Sequence, residues 1–332
     1  MESLSLDNNI KINNDIPAGN IIVDDISENQ VELRTNHENS STWWFWWHFA
    51  IDGAAGKALT FSFSKEELFS SLGPCYSDGG DWQYLGADAV NNNSFTFKFP
   101  EDAGRYYFAV APPYTQDNLE LFLSANPKIK REELAVTPKQ RKVELISLIS
   151  EKSCCNVLLT ARHHACEVSG SRVLEGIFEF WQADPYLQKY VDLRAVPFMD
   201  TDGVQDGDQG KNRIPHDHNR DYGPFIYAET KALIKNIPEW PRTVATLDLH
   251  CPLTSHTDIF MVGASIGQES IDEFSNILKQ NQSGDVRYTG LTDIPYGTGW
   301  NVHPQERMMT GYLRENGLSD MATVIEIPYA QS

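Results

Sequence analysis

The first residues that could do chemistry are His164 and Glu167, which follow the apolar run NVLLTA with two residues between them. Zinc accepts both a neutral imidazole and a carboxylate, and one tight turn can direct both side chains at a single ion. This spacing also occurs by chance, and a histidine beside a glutamate is more often a surface or core pair. His163, four residues before Glu167, is a rival ligand. A metal site therefore needs a further ligand from elsewhere in the chain.

That further ligand is His250, at the end of a second apolar run, VATLDLH. A histidine in this position could also simply cap a buried strand. Combined with His164 and Glu167, however, it completes a His, Glu and His set that metallopeptidases use for zinc, with a fourth coordination position left for water. The sequence therefore predicts one zinc ion per chain, bound by these three residues.

Two more segments carry polar groups that suit a hydrolytic site. In GKNRIPHDHNRDYG, Asn219 and Arg220 offer donors that match a carboxylate, and Asp217 could orient a metal-bound histidine through its second ring nitrogen. In TVIEIPY, Glu326 interrupts a β-branched run, as a catalytic base would. Plainer explanations exist for both, because polar loops are usually solvated turns and Glu326 could face solvent from an edge strand.

Short aromatic runs predict that residues 1–125 form an all-β domain. The runs LTFSFS (59–64), FTFKF (95–99) and RYYFAVA (105–111) are bounded by turn-forming residues. The run WWFWW (43–47) would be a strand that is apolar on both faces, covered by a second sheet and by another domain. A sugar-binding platform is the functional alternative for this run, although strand aromatics usually belong to a core.

After a connecting segment at 126–137, residues 138–332 alternate between helical and strand patterns, which predicts an α/β sheet with parallel strands. The predicted helices are KQRKVELISLISEK, SRVLEGIFEFW, ETKALIKNI and IDEFSNILKQN. The predicted strands are NVLLTA, LRAVPFM, VATLDLH and MATVIEI. Several polar motifs follow these strands, at the edge where ligands bind in open α/β sheets.

Composition argues against several other functions. The 46 acidic and 27 basic residues give a net charge of −19, which disfavours nucleic acid and anionic membranes as partners. No apolar run reaches the length of a membrane span, and MESLSLDNNIKINND lacks a signal-peptide pattern. The five cysteines show no repeated spacing, which favours reduced thiols and a cytoplasmic location.

In their order along the chain, these motifs resemble those of the zinc carboxypeptidases, and most closely the cytosolic carboxypeptidase branch. ARHHACE is similar to that branch's A-R-x-H-x-x-E, HDHNRDY to its D-L-N-R-x-W, and TLDLHCP to its D-L-H-G-H. VPFMDTDGV and TGYLRENGL…VIE also resemble family segments. SDGGDWQYLG and YYFAVAPPYTQDNLELFL resemble the β-sandwich domain that precedes the catalytic domain, so the likeness extends over residues 30–330.

The resemblance implies a mixed, mainly parallel eight-stranded sheet flanked by helices, preceded by an all-β sandwich domain. It implies domains at 1–125 and 138–332, joined by a linker at 126–137. Carried over by position, it makes His164, Glu167 and His250 the zinc ligands, Asp217 the partner of His164, and Glu326 the general base. The family adds a final helix after this strand, and the chain ends six residues after Glu326.

The resemblance also assigns groups that would contact the substrate. Arg213 would stabilise the substrate carbonyl and oxyanion, and Asn219 with Arg220 would bind a terminal carboxylate. A substrate-binding tyrosine is expected upstream of the general base, where Tyr296 and Tyr312 both lie, and Tyr296 is our assignment. His218 replaces the apolar residue of the family motif without an expected consequence.

These observations predict a zinc carboxypeptidase that hydrolyses the C-terminal peptide bond of peptides or proteins, by a zinc-activated water with Glu326 as general base. Cys166 and Cys251 flank metal ligands but are not placed to act as nucleophiles. Two alternatives stay open. One is a zinc amide hydrolase acting on small N-acyl amino acids, and the other is a catalytically inactive protein that binds a partner through the sandwich.

Overall fold

The computed structural model describes residues 5–6, 10–65, 67–263, 266–283, 286–302 and 308–329. Its N-terminal strands form two sheets. The first has the order β1-β2-β5-β11-β7-β8 and the second the order β3-β4-β6-β10-β9. The strands are β1 (Ser5–Leu6), β2 (Ile10–Asn13), β3 (Ile22–Ser27), β4 (Gln30–Arg34), β5 (His48–Asp52), β6 (Ala58–Phe63), β7 (Cys75–Ser77), β8 (Gln83–Tyr84), β9 (Val90–Asn91), β10 (Ser94–Lys98) and β11 (Tyr106–Ala109).

Aromatic side chains fill the space between these two sheets. The ring of Phe61 on β6 lies 5.4 Å from Phe49 and 5.3 Å from Phe108, which belong to the opposite sheet. Alternate side chains of β6 are buried, as expected when one face of a strand meets a core. The three aromatic runs predicted as strands are β6, β10 and β11, so the predicted strand pattern is confirmed there.

Residues 43–47 lie outside any strand, contrary to the prediction, and β5 begins only at His48. The reason is that the backbone of Trp46 forms its hydrogen bonds with the side chain of Gln209 and not with a neighbouring strand. The Gln209 side chain accepts a hydrogen bond from the Trp46 N–H at 2.7 Å and donates one to the Trp46 carbonyl at 2.8 Å. The side chains of Phe45, Trp46 and Trp47 are buried, which removes them as an exposed sugar-binding platform.

The second part of the chain forms a mixed sheet of seven strands in the described residues, with the order β12-β13-β15-β14-β16-β18-β17. The expected eight-stranded, mainly parallel sheet is therefore wrong. The central strands β15, β14, β16 and β18 are parallel, whereas β12, β13 and β17 pair antiparallel. These strands are β12 (Lys130–Val136), β13 (Lys142–Leu148), β14 (Cys155–Ala161), β15 (Val191–Val196), β16 (Thr243–His250), β17 (Phe260–Val262) and β18 (Met321–Glu326).

Half of the segment predicted as a helix at 139–152 is strand β13 and none of it is helical, so that prediction is wrong. Leu145 and Ile146 are both buried although they point to opposite faces of the sheet. A strand buried on both faces loses the alternation that identifies strands, and its apolar positions then match a helical period as well. The segment at 126–137, expected as a linker, contains β12, which turns back to pair with β13.

Helices cover both faces of this sheet. Buried side chains of α2 and α6 pack on one face, and those of α5 and α7 pack on the other. The helices are α1 (Gln116–Ala125), α2 (Ser169–Ala183), α3 (Pro185–Tyr190), α4 (Thr201–Asp206), α5 (Ala228–Asn236), α6 (Gln268–Asn281) and α7 (Met309–Glu315), and short 3₁₀ turns lie at Ala87–Ala89, His218–Arg220 and Ile237–Glu239. The predicted strands β14, β15, β16 and β18 and the predicted helices α2, α5 and α6 are confirmed. None of the helices described here is long and apolar enough to span a membrane.

Candidate metal centre

The loop that carries His164 and Glu167 begins at Arg162, directly after β14. Arg162 has a φ of 62°, a left-handed conformation that costs free energy for a non-glycine residue. Its buried guanidinium fixes the loop by donating hydrogen bonds to the carbonyls of Ala165 at 2.8 Å and Tyr114 at 2.9 Å. Sequence analysis gave Arg162 no role, although its place inside the ARHHACE motif was the available signal.

The three predicted metal ligands meet at the carboxyl ends of β14 and β16. The Nδ1 atom of His164 lies 2.8 Å from Glu167 Oε1, and the Nδ1 atom of His250 lies 2.7 Å from Glu167 Oε2. One ligand atom from each residue lies within 4.8 Å of the other two. All three side chains are buried, so neighbouring protein groups fix their orientations.

A second carboxylate stands behind each histidine. Asp217 Oδ1 lies 3.4 Å from Nε2 of His164, and Asp248 Oδ2 lies 2.8 Å from Nε2 of His250. Metal-binding histidines usually have such a partner on the second ring nitrogen, because it fixes the ring and its tautomer. Asp217 was predicted for this position. Asp248 was missed, although an acidic residue within a buried strand two positions before His250 was a usable signal.

Electrostatics keeps the carboxylate of this cluster ionised. Burial opposes ionisation of Glu167, but His164 and His250 lower its pKa well below the usual value. Burial would also lower the pKa of His250, but Asp248 and Glu167 raise it well above the usual value. An ionised carboxylate between two imidazoles is the donor set that suits zinc.

His163, the rival ligand, belongs to a second cluster with Asp248 and His250. Its Nδ1 atom lies 2.8 Å from Asp248 Oδ1, and its Nε2 atom lies 2.7 Å from the hydroxyl of Tyr222. The ring nitrogens of His163 therefore face Asp248 and Tyr222, whereas His164 and His250 each direct one ring nitrogen at Glu167. This arrangement favours His163 as support for Asp248, and it leaves His164, Glu167 and His250 as the better metal site.

Glu326 lies directly beside the cluster. It ends β18, where it pairs in register with His250 of β16, and only 8% of its surface is exposed. Burial and the neighbouring charge of Glu167 raise its pKa to about 6. Its Oε2 atom is buried and has no hydrogen-bond partner among the described residues. The plainer explanation, a glutamate facing solvent, is therefore excluded.

Asn219 and Arg220 lie in the 3₁₀ turn near the cluster, but in different surroundings. The amide of Asn219 is buried: its nitrogen donates to Asp248 Oδ2 at 3.3 Å and lies 3.1 Å from His250 Nε2, and its oxygen accepts a hydrogen bond from the Met309 N–H at 3.2 Å. The guanidinium of Arg220 is half-buried and donates to the Asn219 carbonyl at 2.8 Å. Its charge is close enough to help lower the pKa of Asp217. Arg220 is thus the member of the pair with donors left for a substrate.

Arg213 is held by acidic residues. Its Nη1 atom lies 2.7 Å from Asp200 Oδ2 and 2.6 Å from Asp208 Oδ2. The two ion pairs direct this end of the guanidinium towards α4 and the loop that follows it. In the described residues, the ion pairs of Arg213 are made with Asp200 and Asp208 and not with the candidate metal ligands.

The two candidate tyrosines occupy different environments. Tyr296 is partly exposed in the 286–302 segment, and the described residues include no hydrogen-bond partner for its hydroxyl. Tyr312 belongs to α7, where its ring lies 5.5 Å from Phe225.

Cys166 and Cys251, both adjacent to candidate ligands, are buried, and burial raises the pKa of each thiol. A protonated, buried thiol is a poor nucleophile, in agreement with their prediction as wall residues.

Sequence comparison finds relatives among the cytosolic carboxypeptidases. The model of the cytosolic carboxypeptidase N-terminal domain matches residues 12–110, which cover most of the two-sheet region. Human cytosolic carboxypeptidase 6 is 27% identical over 238 residues, which are 62% of this chain and 47% of the human protein. The Caenorhabditis elegans cytosolic carboxypeptidase 6 is 29% identical over 205 residues, or 55% of this chain and 44% of that protein. The chain is a relative of the cytosolic carboxypeptidases. It spans about half the length of these two curated relatives.

Solved structures show that the fold of this cytosolic carboxypeptidase relative is zinc carboxypeptidase-like. A metallo-carboxypeptidase from Burkholderia cenocepacia superposes with a TM-score of 0.78 at 20% identity, covering 96% of this chain and 90% of that one. A metallo-carboxypeptidase from Pseudomonas aeruginosa, solved in complex with (2-guanidinoethylmercapto)succinic acid, gives a TM-score of 0.75 at 19% identity and also covers 96% and 90%. Both matches include the sandwich as well as the α/β part, since nearly the whole chain is covered.

Proposed function

We propose that this chain is a zinc-dependent metallocarboxypeptidase that hydrolyses the last peptide bond of peptides or proteins. The observation that carries the proposal is the buried His164, Glu167 and His250 cluster with Glu326 beside it. Glu326 has an elevated pKa and a free carboxylate oxygen, which are the properties of a general base. In this proposal residues 1–125 are a β-sandwich domain and 138–332 the catalytic domain.

Zinc fits the donor set, because two imidazoles and one carboxylate leave a coordination position open. When bound, zinc would act as a Lewis acid that activates water and polarises the scissile carbonyl. Glu326 would take a proton from the water and deliver it to the leaving amine. Asp217 and Asp248 would hold the two histidine rings through their second nitrogens.

Arg220 would restrict the reaction to the chain end. A guanidinium binds a carboxylate through paired, charge-assisted hydrogen bonds, and binding the α-carboxylate fixes the neighbouring peptide bond in the site. Asn219 would join this contact by turning its amide away from Asp248 and Met309, so the proposal for the carboxylate rests on Arg220. Tyr296 remains a proposed substrate contact, and a cytoplasmic location remains a proposal that the names of the relatives support.

The amide-hydrolase alternative is less well supported. The match to the N-terminal domain of cytosolic carboxypeptidases and the coverage of both parts by metallo-carboxypeptidase structures favour the peptidase. An inactive binding protein would have no need for a buried, unpartnered Glu326 next to a complete ligand set. Free-acid peptides and N-acyl amino acids, assayed side by side, would separate the two enzymatic functions.

Metal analysis tests the site. The wild type should bind one zinc per chain, and His164→Ala and His250→Ala should each abolish stoichiometric binding. His163→Ala should retain zinc with weaker affinity, because it removes a partner of Asp248 and no ligand. His256→Ala, at an exposed histidine, is the matched control and should bind zinc normally. Stoichiometric zinc in the first two variants, or its loss only in His163→Ala, would refute the assignment.

A further inference from the structure

The proposed reaction needs a positive group near the substrate carbonyl, and Arg213 is poorly placed to supply it. Hydrolysis moves a pair of electrons onto the carbonyl oxygen, and donors or cations aimed at that oxygen usually provide the largest share of the rate enhancement. The Nη1 atom of Arg213 is already shared by Asp200 and Asp208 at 2.7 and 2.6 Å. Turning it towards a substrate would leave two buried carboxylates without their cation, which is costly.

Lys211 lies in the segment that packs directly against the ligand loop. The residue before it, Gly210, has a φ of 79° and no space for a side chain, since a Cβ there would lie 2.0 Å from the Ala165 nitrogen and 2.8 Å from the His164 Cα. The residue after it, Asn212, donates its N–H to Asp217 Oδ2 at 3.0 Å. The backbone on both sides of Lys211 is therefore fixed to the histidine loop and to the carboxylate behind His164.

The Lys211 ammonium contacts an aromatic ring and has no carboxylate partner among the described residues. Its ammonium lies 5.5 Å from the centroid of the Trp44 ring, a cation–π contact that positions the charge and leaves its hydrogen-bond donors available. Ser40 donates a hydrogen bond to the Lys211 carbonyl at 2.6 Å, which anchors the backbone. Among the described residues, no carboxylate forms an ion pair with this ammonium, in contrast to the guanidinium of Arg213.

The positive charge of Lys211 acts on two carboxylates beside the proposed metal site, Glu326 and Asp217. Its charge opposes the net rise in the pKa of Glu326 and adds to the lowering of the pKa of Asp217, in both cases after larger contributions from burial and from other charges. Glu326 lies beside His250, and Asp217 lies behind His164. This agrees with the contacts of Gly210 and Asn212, which place Lys211 beside the histidine loop and Asp217. Its half-buried position also lets it reach a substrate entering from solvent.

We propose that Lys211, and not Arg213, is the catalytic cation that contacts the carbonyl oxygen of the scissile bond. This inference rests on the proposed function. Water adds to the carbonyl carbon and gives its proton to Glu326, while the electron pair of the carbonyl moves to the oxygen beside Lys211. The carbon–nitrogen bond then breaks as the pair returns, and the amine leaves with the proton from Glu326. Trp44 would hold the ammonium in place between turnovers.

The test compares Lys211→Met, which keeps most of the side-chain length and removes the charge, with Lys211→Arg, which retains it. In the zinc-loaded protein, Lys211→Met should lower kcat about 100-fold or more with little change in KM, because the contact forms chiefly in the transition state. Lys211→Arg should recover much of that loss. Lys152→Met, at an exposed lysine before β14, is the matched control and should keep wild-type kinetics.

A second readout is affinity for a phosphinate peptide, which mimics the tetrahedral state, measured by calorimetry. The affinity of Lys211→Met should fall about as much as its kcat/KM, with zinc content unchanged. A normal kcat in folded, zinc-loaded Lys211→Met would overturn the proposal, as would a change in KM alone, which would make Lys211 a substrate-carboxylate ligand. An inactive wild type would instead refute the carboxypeptidase function itself. If Lys211→Met does not fold, Lys211→Gln replaces it with the same expected outcome.

Discussion

Glu326 should destabilise the metal-free protein at neutral pH, and Glu326→Gln should therefore make that form more stable while abolishing hydrolysis. The carboxylate is buried, lies near the charge of Glu167, and has an Oε2 atom with no hydrogen-bond partner in the described structure. Burial and this repulsion raise its pKa from 4.5 to about 6. This rise of about 1.5 in the pKa of Glu326 corresponds to about 2 kcal/mol of folding free energy at pH 7.5.

The pH dependence fixes the sign of this effect. When the folded-state pKa of a carboxyl group is raised, the folded protein holds its proton more tightly than the unfolded chain. The stability contributed by the protonated form is then complete below pH 4.5 and is lost as the pH rises through about 6. Glu326→Gln cannot ionise, so its advantage over wild type should be near zero at pH 4.5 and close to its maximum at pH 7.5.

The assay is thermal unfolding of wild type and Glu326→Gln in chelator at several pH values. At pH 7.5 the variant should unfold about 3 °C higher, as expected for about 2 kcal/mol in a chain of this size. Glu229→Gln is the matched control. The carboxylate of Glu229 is buried and lies 2.9 Å from His218 Nε2, so its loss should lower the unfolding temperature. Equal or lower stability of Glu326→Gln at pH 7.5 would refute the claim that Glu326 is an uncompensated buried charge.

Three further predictions concern other parts of the site and fold. For zinc-loaded enzyme, kcat/KM should fall as the pH decreases from about 6 or below, because Glu326 must be ionised to accept a proton. Bound zinc would bring the pKa of Glu326 below this value, since a nearby cation favours the carboxylate. A flat profile of kcat/KM down to pH 4 would contradict this. Arg220→Ala should slow cleavage of free-acid peptides and leave the rate with C-terminal amides unchanged. Asn20→Ala should destabilise the protein by about 1–3 kcal/mol in denaturant unfolding, because buried Asn20 donates to the Gly207 carbonyl at 2.7 Å.

The candidate metal cluster was predictable from sequence because its residues follow recognisable apolar strands. His164, Glu167 and His250 come at the ends of two runs that had to be buried strands, and parallel strands bring such ends to one edge. Glu326 was predictable in the same way, as a charged residue within an apolar strand. Its position beside His250 was not, because the register between β16 and β18 is a property of the folded sheet.

The proposed substrate contacts were harder to predict because they lie in a loop. Between α4 and the 3₁₀ turn, positive φ values at Gly207 and Gly210 set the direction of the chain, and spacing alone could not show which cation faces the cluster. Nothing in the spacing of these residues indicated that Arg213 would be paired with two aspartates. The helix predicted at 139–152 failed for a related reason, since burial of β13 on both faces depends on its neighbours.

Mass spectrometry of one peptide and its C-terminal amide, each incubated with zinc-loaded wild-type protein, tests the central claim most directly. A carboxypeptidase with Arg220 at the substrate carboxylate should release one residue at a time from the free-acid peptide. The amide should stay almost intact, because a site built for a carboxylate is left with an unpaired cation when that group is missing. Cleavage at internal bonds, equal cleavage of both peptides, or no cleavage of a varied set of free-acid peptides would contradict the account.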